Sequence, residues 1–379
     1  MSHTVEKIAL KSPAPGTERF LTIHRFGTIG ARPKVYLQAA LHADEWPGLM
    51  ALNHLIPMLD HADKAGRIVG EIILLPYANP IGLDQRLGGA MPGRYSFDGA
   101  GNFNRNWPDL SAAAAAHIPQ GFTGNTGQDT ATLRAALLQA VADLSTRTEI
   151  DHWRAQLLGL SIDADYVIDV HCDQESQAHL YCHISHADIA KRMAAAGDIP
   201  VVLLEEEAGG FSFDDCNAGV WRRMTGLVDQ AESLPMACYG CTLELRGKDD
   251  VNDVFGQKDA AGLMQFMIAE RVIQGDTSNL EGPEPYRLDE VDVIYAETGG
   301  LIAYKAEIGE YVQEGQLIAE VIDITASDPL TARTQLVSRT AGLFFARIDL
   351  RLISAGEGVA KVAGRKLLEH RKKGALLEA

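Results

Sequence analysis

With 379 residues, 46% of them hydrophobic, the chain has material for two or three domains and a sizeable core. A formal net charge of −17 argues against nucleic acid and anionic membrane surfaces as general partners. No apolar run reaches the ~18 residues of a membrane span and the amino terminus has no signal-peptide h-region, so a soluble, cytoplasmic protein is expected, with homo-oligomerisation left open. Five scattered cysteines, an odd number, fit reduced thiols better than a disulfide framework.

In chain order, residues 34–41 are mostly apolar and read as a buried strand. Pro47 then suits the first turn of a helix that runs through Leu49, Leu52, Leu55, Ile56 and Leu59. Residues 71–76 form a second buried strand, ended by Asn79-Pro80. The stretch Ser111–Gly127, with five alanines and then Gly121, Gly124 and Gly127, reads as an irregular insertion. A helix is expected over 130–144, strands over 166–170 and 199–204, an alternating strand over 242–245 and an amphipathic helix over 257–273. This alternation is an α/β pattern: helices on a mostly parallel or mixed sheet, assigned to a first domain over residues 1–280.

Composition changes after that. Residues 276–286 are polar with two prolines and read as a linker. Short strands with turn signals follow, at 293–296, 301–305, 308–312, 316–321 and 342–346, giving a smaller all-β domain over 287–379. The phrase from Gly309 to Gln316 resembles biotinyl and lipoyl carrier domains, which have a barrel-sandwich fold and present a modified lysine at a hairpin tip. Here the segment after Val321 has no lysine, so the fold is expected without the carrier function.

Chemistry concentrates at two strand ends. His42-Ala43-Asp44-Glu45 lies where the first strand gives way to a helix, and His171 closes the strand over 166–170. Two imidazoles and a carboxylate suit Zn²⁺, whose catalytic sites commonly take three protein ligands and keep a fourth position open. The carboxyl ends of strands are where open α/β sheets place their ligands. Asp44 is expected at the surface or behind the ligands. Asp169, two before His171 and on the same side of its strand, is a candidate to accept an imidazole N–H and fix its tautomer. Asn104-Arg105 suits a substrate carboxylate, since a guanidinium donates two parallel hydrogen bonds, and Arg94 and Arg86 could join it. Glu244 interrupts an apolar strand; it either faces inward as a general base beside the metal or outward into solvent, and alternation allows both. Cys238 and Cys241 have C-x-x-C spacing but no second pair, which does not make a zinc site.

Together, His-x-x-Glu at 42–45, Asn-Arg at 104–105, Asp-x-His at 169–171 and the late Leu243-Glu244-Leu245-Arg246-Gly247 resemble the succinylglutamate desuccinylase/aspartoacylase family over roughly residues 20–275. The resemblance implies a zinc-carboxypeptidase-like mixed sheet flanked by helices, with His42, Glu45 and His171 holding one Zn²⁺ per subunit. It also implies Glu244 as the catalytic carboxylate and Asn104, Arg105 and Arg94 as substrate binders. The reaction implied is hydrolysis of the amide of a small N-acylated amino acid. The alternative is a zinc carboxypeptidase acting on peptides, which would need an open cleft.

Overall fold

Strands buried along their whole length need cover on both faces, and the chain supplies helices for each. The computed structural model describes residues 3–206, 209–277, 280–328, 330–369 and 371. Both ends of the two expected domains (residues 1–2 and 372–379), positions 278–279 of the expected linker and Pro329 lie outside the described residues.

The chain opens with β1 (Thr4–Ala9), β2 (Phe20–Gly27), β3 (Lys34–Ala39), helix α1 (Pro47–Lys64) and β4 (Glu71–Leu75). A short α2 (Pro80–Asp84) and the small hairpin β5 (Tyr95–Ser96) and β6 (Gly101–Asn102) follow, then α3 (Ser111–Ala116), α4 (Thr126–Ala142) and α5 (Glu149–Ser161). Next come β7 (Tyr166–Asp173), β8 (Glu175–Ser176), β9 (His179–His183), α6 (Ala187–Gly197), β10 (Val201–Glu205), α7 (Phe213–Arg223), β11 (Tyr239–Gly247) and α8 (Asp253–Ala269). Local caps fix the helix starts: Asn125 and Asn252 accept from backbone N–H groups of α4 and α8, and Thr148 with Asp151 forms a capping box on α5.

These strands build a nine-stranded mixed sheet in the order β1-β2-β4-β3-β7-β11-β9-β10-β12, the last being the two-residue β12 (Tyr286–Arg287). Its centre, β4-β3-β7-β11, is parallel, so the carboxyl ends of these four strands share one edge. On one face, Leu21, Tyr36, Ile73 and Val167 pack with Leu137, Trp153, Phe213 and Trp221 of α4, α5 and α7. On the other, Val35, Leu37, Ile72 and Ile168 pack with Leu52, Leu55, Met193 and Leu263 of α1, α6 and α8. The result is a three-layer α/β/α arrangement.

One expectation is corrected. The stretch Ser111–Gly127 is not irregular throughout: the alanine run forms α3 and α4 begins at Thr126. Alanine is the strongest helix former and needs no amphipathic pattern, so periodicity alone overlooks it.

After β12 the chain is strand-rich: β13 (Val291–Tyr295), β14 (Gly300–Tyr304), β15 (Tyr311–Val312), β16 (Leu317–Ile322), β17 (Arg333–Val337), β18 (Gly342–Arg347), β19 (Leu352–Ile353) and β20 (Gly358–Gly364). One sheet runs β13-β20-β18-β15 and another β17-β16-β14-β19, around a core of Ile302, Val312, Ile318, Val321, Phe344 and Val362. Several contacts join this region to the α/β part. β8 pairs with β18, and β12 extends the large sheet beside β10. A separate apolar cluster contains Val201 and Leu203 of β10 together with Val291, Val293, Phe345 and Ala363.

Candidate metal centre and active site

Three neighbouring parallel strands deliver the site. β3 runs into Leu41-His42, β7 carries Asp169 and His171, and β11 carries Glu244, whose backbone stands in register with His171. Two local distortions re-aim these ends. Ala40, just past β3, has φ 55°, a left-handed conformation rarely taken by non-glycine residues. In β11 the register with β7 shifts between Glu244 and Gly247, and Arg246 in that bulge has φ 59°, held by hydrogen bonds of 2.9 and 2.5 Å to Asp259.

His42, Glu45 and His171 are buried, and each offers one ligand atom within 4.8 Å of the others. Glu45 lies between the two rings, with Oε1 2.9 Å from Nδ1 of His42 and Oε2 2.7 Å from Nδ1 of His171. The outward nitrogens are held as well. Asn102 Oδ1 is 2.8 Å from Nε2 of His42, and Asp169 Oδ2 is 2.9 Å from Nε2 of His171. Asp169 is itself fixed by Gln38, whose Nε2 donates to Oδ1 at 2.9 Å. Partners behind the imidazoles orient rings for a metal in this manner.

The electrostatics favour a cation. Burial acts against charge on Glu45, yet the facing histidines hold its carboxyl well below the ordinary range. Burial likewise opposes protonation of His171, but Asp169 and Glu45 outweigh it and raise the imidazole's pKa. His42 differs: burial dominates, Arg94 and His171 add repulsion, and its pKa falls despite Glu45. A positive group already stands against this donor set, since Arg94 Nη1 lies 3.0 Å from Glu45 Oε1 and 3.3 Å from His42 Nδ1. The nitrogen and oxygen donors therefore fit a divalent metal of the zinc type.

A cavity of about 270 Å³ opens beside these residues, lined by Glu244, Arg94, Asn104 and Arg105 among others. Glu244 faces inward. It forms no hydrogen bond or ion pair among the described residues, and its Oε2 is buried without a partner. Burial first, then the charge of Glu45, pushes its pKa up to about 8. Asn104 Nδ2 lies 3.3 Å from His171 Nε2, and its Oδ1 accepts from the Phe213 N–H at 2.8 Å. Arg105 donates to the Asn104 carbonyl at 2.6 Å, and burial together with neighbouring Arg94 lowers its pKa. Arg86 is turned elsewhere, donating to the carbonyls of Leu83 and Gln85. Asp44 pairs with Lys248 at 2.8 Å, while Cys238 and Cys241 are buried free thiols.

Sequence reasoning did not single out Asn102, Tyr181, Glu205, Asp214 or Lys361. The last four line the cavity and Asn102 backs His42. Asn102 had a signal, since it stands two residues before Asn104 in a polar run.

A mixed α/β sheet whose parallel centre gathers His-Glu-His and an unpaired carboxylate at one edge is the framework of a hydrolytic enzyme. A family model described as the succinylglutamate desuccinylase/aspartoacylase catalytic domain matches residues 31–269. The chain belongs to that family, whose members are hydrolytic deacylases. Solved structures agree on the fold. A succinylglutamate desuccinylase/aspartoacylase family protein from Shewanella amazonensis SB2B has a TM-score of 0.82 at 23% identity, covering 95% of this chain and 98% of its own. A similar protein from Shewanella frigidimarina NCIMB 400 has a TM-score of 0.81 at 22% identity, covering 96% and 97%. The product-bound ectoine utilization protein EutE of Ruegeria pomeroyi has a TM-score of 0.66 at 18% identity, covering 96% and 95%. No curated protein matches the chain. Among the described residues no helix is long and apolar enough to cross a membrane.

Proposed function

We propose that this protein is a zinc-dependent deacylase that hydrolyses the amide bond of a small N-acylated amino acid. The observation that carries this reading is the meeting, in one cavity, of the buried His42-Glu45-His171 group with an unpartnered Glu244. His42, Glu45 and His171 would hold one Zn²⁺ per chain, oriented from behind by Asn102 and Asp169. Bound there, zinc supplies Lewis acidity, polarising an amide carbonyl and acidifying water.

Glu244 is the general base and then the acid. Its raised pKa, about 8, suits a group that takes a proton from water and returns it to the leaving amine. Arg105 and Arg94 bind the substrate carboxylate: two adjoining guanidinium groups repel each other, and an anion between them relieves that repulsion. Asn104, held by His171 and the Phe213 N–H, sets the position of Arg105 beside it.

The strand-rich region, residues 287–379, is a separate domain from residues 1–280 in this reading, a barrel-sandwich module of the carrier type used as a wall. Ile348, Val359 and Lys361 from it line the cavity, which suits a small molecule better than the peptide of a carboxypeptidase. Five buried free cysteines suit a reducing, cytoplasmic setting. The test is metal content of the purified protein followed by amine release from a panel of N-acyl amino acids and short peptides. One equivalent of zinc and turnover confined to acyl amino acids is the expected result; no bound zinc, or peptide turnover alone, sinks the proposal.

A further inference from the structure

Arg105 reaches the cavity from an irregular segment, with no strand or helix of its own to hold it. β6 ends at Asn102 and α3 starts at Ser111, and between them Asn106 adopts φ 56°, in the left-handed region that asparagine tolerates better than most side chains. A turn outside regular structure leaves its main-chain polar groups to be satisfied from elsewhere. Its N–H side is covered by a neighbouring loop: Asn106 donates to the Gly210 carbonyl at 2.9 Å and Trp107 to that of Phe211 at 3.0 Å.

The carbonyl side is covered from a different element. Arg154 of α5 donates through Nη2 to the Arg105 carbonyl at 2.9 Å and through Nη1 to the Asn106 carbonyl at 3.0 Å. Its guanidinium lies over the ring of buried Trp107, 5.3 Å from the centroid, and its Nε is buried without a partner. Both terminal nitrogens of Arg154 thus serve main-chain carbonyls. The Asn104 carbonyl takes the third such bond, from Arg105 itself at 2.6 Å. Three successive carbonyls are therefore pinned by two guanidinium groups, Arg105 in the cavity wall and Arg154 outside it.

We propose that Arg154 is the positioning residue for Arg105: it fixes the turn at 105–106 so that the Arg105 guanidinium is presented to the substrate carboxylate, without touching the substrate itself. This rests on the role given to Arg105 in the deacylase reading. A planar fork suits two neighbouring carbonyls at once, which the single ammonium of a lysine matches only in part. Methionine would cover Trp107 and donate nothing.

The test is a double-mutant cycle on the full-length metal-loaded protein, read by amine release from N-acetylalanine and its methyl ester, which differ in the carboxylate alone. The wild type is expected to prefer the acid by about tenfold or more in kcat/KM, the worth of a charge-assisted hydrogen bond, and Arg105→Ala to abolish that preference. Arg154→Met is expected to lose most of it as well, through a raised KM for the acid with kcat and ester turnover nearly unchanged, and Arg154→Lys to fall between. Added to Arg105→Ala, Arg154→Met is expected to cost nothing further. A wild-type acid preference in Arg154→Met, an equal loss on acid and ester, or costs of the two exchanges that simply add overturns the proposal. If Arg154→Met does not fold, the cycle with Arg154→Lys carries the same readings. If Arg105→Ala keeps the acid preference, the carboxylate role of Arg105 fails and the positioning role falls with it. Should the wild type hydrolyse neither compound, the deacylase reading fails separately, and the same cycle is read from calorimetric binding of the two compounds with the same outcomes.

Discussion

The α/β region and the strand-rich region meet at the same cavity but contribute to it by different means. The candidate metal group stands at the ends of the adjacent buried strands β3 and β7, with Glu244 on neighbouring β11, both imidazoles are held from behind, and the strand ends bend at Ala40 and Arg246. The strand-rich region contributes side chains held mainly by ion pairs: Glu175 to Arg347 and Arg351, each at 2.5 Å, and Asp173 to Lys361 at 2.5 Å. The candidate metal group therefore sits where packing over-determines geometry, whereas the strand-rich wall of the cavity is tied to the α/β part through ion pairs.

The sharpest way to test this contrast is Glu244→Gln. Loss of the proposed general base is expected to lower kcat by about 10²–10⁴-fold with zinc content and melting temperature unchanged, measured by amine release and metal analysis. Equal turnover by that variant would remove Glu244 from the mechanism. Next comes Phe345→Ala, at the apolar cluster shared by both regions, where an aromatic deletion is expected to cost about 3–5 kcal/mol in denaturant unfolding. A loss below 1 kcal/mol would mean that the two regions barely depend on each other. Third, Asp169→Asn is expected to weaken zinc binding by about 10–100-fold, read by competition with a chelator, because it no longer fixes the His171 ring.

The smallest effect concerns Glu175. Burial would raise its carboxyl, but Arg347 and Arg351 prevail and hold it below the ordinary value of 4.5. A lowered folded-state pKa stabilises above the unfolded value and is lost as pH falls through the folded one. Glu175→Gln is therefore expected to lower stability by about 0–1 kcal/mol at pH 7, as for a surface ion pair, with the difference shrinking as pH drops below 4.5. A difference that grows on acidification would reverse the sign and refute the pairing.

Much of this was legible in the sequence because local pattern and function coincide there. His42 and His171 end uninterrupted apolar strands, and Glu45 follows within one turn, so the candidate trio can be read from position, and the structure brings its three side chains together. Family resemblance then resolved what alternation left open at Glu244, which faces the cavity. Glu205 and Asp214 escaped because nothing in their own segments marks them. One ends a strand in a Glu-Glu-Glu run and the other opens a helix, where acids are ordinary. The pairing of β10 with β9, and of β9 antiparallel to β11, brings Glu205 to the wall of the same cavity as Glu244, and α7, packed on β7 and β11, brings Asp214 there. The edge strands β1, β17 and β19 were missed for a related reason: short or half-exposed strands leave weak periodicity.

The apolar cluster at β10 also bears on how this molecule can be handled as parts. Val201 and Leu203 are fully buried, and their cover includes Phe345, Ala363 and Val293, contributed from beyond residue 290. A gene cut at the apparent linker would yield a catalytic fragment with a bare hydrophobic stripe along a strand near the sheet's edge, the kind of surface that recruits other chains. The strand-rich region thus acts as a built-in solubility partner. Domain transplants within this fold are expected to succeed only when the β10 stripe and its cover are exchanged together.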